Sequence, residues 1–307
     1  MSQTPKRRGL AVSRRVRTVV VALLATTVVA MLAARWAWGL DAVQDFVARY
    51  PGVPAGAEHV GTPGWVVVLH AMNLFFMALI VRSGLAIRAG GRPAGRWTRR
   101  GRPRLSKKKR PTTITVEQWF HVSLDLLWLT AGAVFVVLLF TSGRWVRLIP
   151  TSVDVIPHAA SVALQMLALH WPTESTWVAY NALQMLAYAG VVFVLAPLAA
   201  ITGLRQSALW PTGRSRLDRV FSVERAHALH HPVMVAFVAF VVVHVAMVLA
   251  TGALRNLNHM FASRDDTSPL GLVVVLAVLA LAAAAWYATT RPVWLRALGA
   301  LFGKVTR

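Results

Sequence analysis

No cysteine occurs in the 307 residues. Disulfides, cysteine-ligated iron–sulfur clusters, thiolate zinc sites and covalently attached c-type haem are thereby excluded. Any metal or cofactor must be held by His, Met, carboxylates or backbone. Acidic residues are scarce as well: 11 Asp and Glu stand against 33 Lys and Arg, a formal charge of +22. A basic balance of this size would suit a nucleic-acid binder, but nothing resembling a recognition fold surrounds the basic segments. The chain is 56% hydrophobic. Its apolar residues form long runs without polar interruption, with the positive charges between them. Runs of about 20 apolar residues cross a bilayer as helices, so the sequence reads as an integral membrane protein that contacts lipid and no nucleic acid. No internal repeat of the kind that builds transporter folds stands out.

Six spans are expected, at 18–40, 64–87, 119–142, 175–203, 228–252 and 269–290. The first is preceded by a basic tail, residues 1–17. Its apolar core and the interface anchors Trp36 and Trp38 fit a retained helix better than a cleaved signal. With the N-terminus inside, the inner segments hold 26 Lys and Arg and the outer segments 5, as the positive-inside rule requires. Both termini are therefore expected on the cytoplasmic side. The loop "RAGGRPAGRWTRRGRPRLSKKKR" carries much of that charge and reads as a topology determinant resting on anionic headgroups. In the long outer segment 143–174, "VIPHAASVALQMLALHW" reads as a helix lying flat at the interface, with Leu164, Met166, Leu167 and Trp171 dipping inward. The C-terminal "RPVWLRALGALFGKVTR" reads as a similar helix on the inner side.

Four of the ten histidines fall in "HALHHPVMVAFVAFVVVHV", residues 227–245. A polar ring in hydrocarbon is a functional hypothesis by default. His230 and His244 are 14 residues apart; at 100° per residue their rings lie about 40° from exact alignment on one face, separated by about 21 Å along the axis. Two ligands stacked in this way suit two planar cofactors, one near each leaflet. Alternating helix direction then sets the depth of possible partners. His70 lies six residues into a span that starts outside, level with His244. His121 lies in the first turn of a span that starts inside, level with His230. The pairs His70 with His244 and His121 with His230 match bis-histidine haem ligation, in which the imidazoles saturate the iron and leave electron transfer as its chemistry.

Asp125 follows His121 by four residues, one turn deeper on the same face. It is a candidate hydrogen-bond partner of a ligand imidazole or a proton relay. His227 and His231 share a face at metal-binding spacing but have no evident third ligand, and are read as support for the inner site. Arg82 and Arg35 are candidates for pairing with haem propionates, or for snorkelling to the headgroups. His59, His158, His170 and His259 read as surface polarity, and Tyr180, Asn181 and Gln184 as packing. The competing reading is a haem-free transporter or proton channel with an intramembrane His and Asp relay, which would not require histidines paired by depth.

Three segments resemble the bacterial di-haem b-type cytochromes, the membrane subunits of nickel–iron hydrogenases, formate dehydrogenases and thiosulfate reductases. "VLHAMNLFFMALIVRSGLAIR" resembles their first core helix. "YNALQMLAYAGVVFVLAPLAAITGL", with its Asn-x-x-Gln and closing Thr-Gly, resembles the third. "HALHHPVMVAFVAFVVVHVAMVLATGALRNLNHMF" resembles the fourth, which in that family donates two histidines spaced as His230 and His244 are. The resemblance covers residues 64–262. It implies an all-α fold with a four-helix core (64–262), two non-covalent b haems with His70, His121, His230 and His244 at the ligand positions, and location in the bacterial inner membrane. It also implies electron exchange between a peripheral oxidoreductase partner, such as a hydrogenase or molybdenum enzyme, and the quinone pool, with the chain an electron-transfer subunit rather than a catalytic one. Outside that core the sequence adds an extra span and outer loop (18–63) and a sixth span with a basic cytoplasmic tail (263–307).

Overall fold

A computed structural model describes residues 14–100, 113–171, 175–207, 210 and 215–307. Most of the basic tail, and the arginine- and lysine-rich middle of the basic loop, lie outside these residues. Six helices among the described residues are long and apolar enough to cross a membrane: Arg17–Ala37, Gly64–Arg88, Val116–Thr141, Ala182–Gln206, Val223–Ala250 and Leu270–Thr290. The chain is an all-α polytopic membrane protein.

Two compact units divide it. The smaller holds α1 (Arg14–Ala37), α2 (Asp41–Arg49) and α5 (Val155–Leu167). In it His158 Nδ1 accepts the backbone N–H of Gly52 (3.2 Å), and Trp38 stacks on His170 at 4.3 Å between ring centroids. Both histidines are thus structural partners, where surface polarity was expected. Helix α5 buries Val155, Ala159, Val162 and Gln165, while Leu164, Met166 and Leu167 are half-buried and Trp171 exposed. Arg35 is exposed in the last turn of α1.

The larger unit carries the site. It contains α3 (Gly64–Arg88), α4 (Val116–Thr141), most of α6 (Ala182–Gly190), α7 (Ala196–Gln206), α8 (Ser215–Val220), α9 (Val223–Ala250), α10 (Ala253–Phe261), α11 (Leu270–Thr290) and α12 (Pro292–Phe302). Local chemistry fixes several ends. Thr115 Oγ1 accepts the N–H of Gln118 and the Gln118 side chain accepts the N–H of Thr115, a reciprocal cap that starts α4. Asn181 and Gln184 make the same exchange at the start of α6, so the Asn-x-x-Gln motif is a helix cap. Between α6 and α7, Val191–Leu195 widen into a π turn. Pro197 supplies the reason: it has no N–H to give the carbonyl four residues back, and its ring crowds that turn.

The fourth span begins at Ala182 rather than 175. Residues 176–178 instead form a turn, in which Val178 N–H donates to Ser175 O, and the segment before α3 is tied to it, with His59 N–H donating to Val178 O and Gly61 N–H to Trp177 O. Two further departures from the sequence reading are elements. Helix α10 turns back directly after α9, where an outer loop was expected. A three-stranded antiparallel sheet, β1 (Arg96–Arg99), β2 (Thr113–Thr115) and β3 (Gly303–Thr306), has β1 in the middle. Trp97 of β1 faces Ile114 on one side and Val305 on the other. It stacks on Trp119 (5.8 Å) and donates its indole N–H to Gly299 O. Leu79, Val116, Trp119, Phe120, Leu124 and Leu295 form the apolar cluster beneath. This end is called the sheet end below, and the opposite end of the spans the loop end.

Candidate functional site: two histidine pairs

The four histidines meet in two pairs. At the loop end the rings of His70 (α3) and His244 (α9) have centroids 6.4 Å apart and planes at 69°. At the sheet end His121 (α4) and His230 (α9) stand 6.5 Å apart with planes at 82°. A metal atom between two imidazoles, at about 2 Å from each nitrogen, with each nitrogen roughly 1.1 Å from its ring centre, would set the centroids about 6.2 Å apart. Both gaps have that width. They are too wide for a direct ring–ring hydrogen bond.

At the sheet end the free nitrogens can be assigned. His121 Nδ1 lies 2.8 Å from Ser83 Oγ, and the Ser83 hydroxyl already donates to Ile80 O at 3.0 Å. Its single proton spent, the hydroxyl can only accept, so His121 carries its proton on Nδ1 and a lone pair on Nε2. The same arrangement recurs on the partner helix pair. His230 Nδ1 lies 2.8 Å from Thr202 Oγ1, which donates to Leu198 O at 2.6 Å. A glycine follows each hydroxyl residue. A Cβ on Gly84 would stand 3.3 Å from His121 Cε1, and one on Gly203 3.4 Å from His230 Cε1. Each ring thus stands at or just inside van der Waals contact with the place a side chain would take, closest at Gly84.

The other residues singled out in the sequence fall around these pairs. Asp125 Oδ2 lies 3.7 Å from His121 Nε2, beside the gap. The place behind the ring, one of the two roles for which Asp125 was a candidate, belongs to Ser83. Arg82 donates to Thr289 O at the end of α11 (2.6 Å), a favourable position for a cation at a helix C-terminus. His227 Nδ1 meets Gln206 Oε1 at 3.1 Å, tying α9 to α7. His231 is half-buried, and its side chain has no hydrogen-bond partner among the described residues. No cluster of three or more His, Asp or Glu among the described residues is arranged to hold a metal ion, so His227 and His231 stand without a third ligand.

The loop-end pair has different surroundings. His70 packs on Phe261 (5.3 Å), and His244 on Phe240 (5.5 Å) and Tyr188 (5.8 Å). Beyond it lie residues that sequence reasoning passed over. Arg147 is 3% exposed and donates to His59 O, Gly61 O and Thr176 O, with its guanidinium 4.3 Å above the Tyr180 ring. Arg144 donates to Gly61 O and Val60 O. Crowding of this second guanidinium by burial and by Arg147 lowers its pKa. His259, read as surface polarity, is buried between Thr176 (Nδ1, 2.9 Å) and Asp265 (Nε2, 2.7 Å), and Arg255 holds the same carboxylate at 2.7 and 3.0 Å. The signal in the sequence was composition and spacing: Arg144 and Arg147 are the two Lys or Arg residues of segment 143–174, and Arg255 and His259 stand four residues apart on one helix face.

The sequence profile of the prokaryotic cytochrome b561 family matches residues 61–263, the stretch that holds all four paired histidines. The chain belongs to that family. It is a membrane b-type cytochrome, a haem b protein of electron transfer. No curated protein and no solved structure matches the chain. The family's haem fits the residues present. Two imidazole pairs stand at iron-spanning width, and in the sheet-end pair the unprotonated nitrogens are those left free to bind metal.

Proposed function

We propose that this cytochrome holds two b haems, one between His70 and His244 and one between His121 and His230, and carries electrons across the bacterial inner membrane between a peripheral redox partner and the quinone pool. The observation that carries the reading is the pairing itself: two gaps of 6.4 and 6.5 Å, about 21 Å apart along α9 from the helical rise. When bound, the haems supply one-electron redox chemistry. The protein's share is to ligate the iron from both faces, so that no open position is left for substrate, and to exclude water with the aromatic rings around His244. The excess of Lys and Arg on the sheet-end segments supports placing that end, and both termini, in the cytoplasm.

A reduced-minus-oxidised optical spectrum of the purified protein, with a haem-to-protein ratio, tests the reading. A b-type spectrum at about two haems per chain, as two bis-imidazole pairs require, is expected. His244→Ala should remove one haem and spare the other. A colourless protein after expression with ample haem would overturn the proposal and favour the proton relay through Asp125 and the histidines.

A further inference from the structure

Resting on the two-haem reading, a further assignment concerns how the two sites differ. We propose that Ser83 and Thr202 are positioning residues that fix the tautomer and orientation of His121 and His230, and that through these bonds the sheet-end haem becomes the harder of the two to reduce.

The argument starts from two hydroxyls with one arrangement. Each sits on a helix beside the one that bears the ligand, gives its own proton to a backbone carbonyl three or four residues back, and takes the Nδ1 proton of the imidazole. Each is followed by a glycine whose missing Cβ would stand 3.3 to 3.4 Å from the ring. An acceptor on Nδ1–H orients the ring and makes Nε2 more electron-rich. An electron-rich ligand favours the ferric over the ferrous state. The loop-end rings lack this device: among the described residues neither His70 nor His244 has a ring hydrogen-bond partner, and both pack on aromatic rings. Apolar packing disfavours the more highly charged ferric state. Both effects separate the two potentials in the same direction. Asp125, beside the sheet-end gap, is left unchanged in the test.

Midpoint titration of single-haem variants reads this directly. His244→Ala keeps the sheet-end haem and His121→Ala the loop-end haem, and the first should titrate lower. In the His244→Ala background, Ser83→Ala and Thr202→Val should each raise the midpoint. The expected change in the one-electron equilibrium is threefold to tenfold, the upper value being about 59 mV. Ser83→Thr and Thr202→Ser, which keep the hydroxyl, should restore the original midpoint. In the His121→Ala background, Ser83→Ala should leave the loop-end midpoint where it was. A reversed order of the two midpoints, or hydroxyl-free variants whose sheet-end midpoint does not rise, would overturn this assignment while leaving two haems in place. Absence of haem from the unaltered protein would instead remove the two-haem reading, and this assignment with it.

Discussion

A buried guanidinium usually has a carboxylate beside it. Among the described residues Arg147 has none; three backbone carbonyls from the segments at 59–61 and 176 take that place. Planar donors in a fixed fork can serve carbonyls that point in different directions, which the point charge of a lysine does less well. Arg147→Met should therefore leave buried acceptors unpaired and destabilise the fold by about 3 kcal/mol, read as a lower melting temperature in detergent, with Arg147→Lys recovering only part. Asp265 responds to acid instead. Hydrogen bonds from Arg255, and then from His259, hold its pKa at about 2, below the ordinary value of 3.8. Because the folded-state value is depressed, its contribution to stability is present above pH 4 and is lost as pH falls through about 2. Asp265→Asn should lower the melting temperature at pH 7, and the difference from the unaltered protein should vanish over that acid window. A difference that persists at pH 2 would assign the loss to packing and not to charge.

Helix α10 owes its place to one residue of the next element. The Gly271 N–H donates to Asn258 Oδ1 at 2.6 Å, and Asn258, fully buried, donates to the chain at Asp266 and Ser268. A Cβ on Gly271 would meet the backbone of Leu257 at 2.5 Å and of Asn258 at 2.6 Å. Backbone cannot swing aside as a side chain can, so Gly271→Ala should force α11 off α10 and cost roughly 3 kcal/mol, the upper end of ordinary overpacking. Hydrogen exchange should then quicken at 253–261 and at the start of α11, with the sheet end unaffected. Uniform quickening over the whole protein would show that the contact belongs to a larger cooperative unit.

Over the whole molecule, what could be read from sequence was what repeats with a short period. The spans follow from apolar length, and the two histidine pairs from helical phase and alternating direction, because a spanning helix converts residue number into depth. Ser83 escaped notice since a serine in an apolar helix ordinarily bonds its own backbone, and this one does that as well. Arg147 and His259 escaped it because their partners are backbone atoms and side chains delivered from elsewhere in the chain. Asp125 was placed on the correct face of α4, but phase alone does not say whether a carboxylate stands behind a ring or beside it. The sheet was invisible for a related reason: strands of three or four residues carry almost no pattern, and two of them are separated by most of the protein.

That separation bears on when the sheet can close. The indole of Trp97 waits for a carbonyl 202 residues later in the chain, and β1 keeps one edge bare until Gly303–Thr306 arrive. All four spans between β1 and β3 are synthesised before then, since chains emerge from the N-terminus. The middle strand therefore acts as a latch that only a segment made after all four of those spans can close. A ribosome-bound intermediate would hold the Trp97 indole without its carbonyl partner and β1 paired on one side alone, and the change in indole environment on closure would time the completion of the sheet.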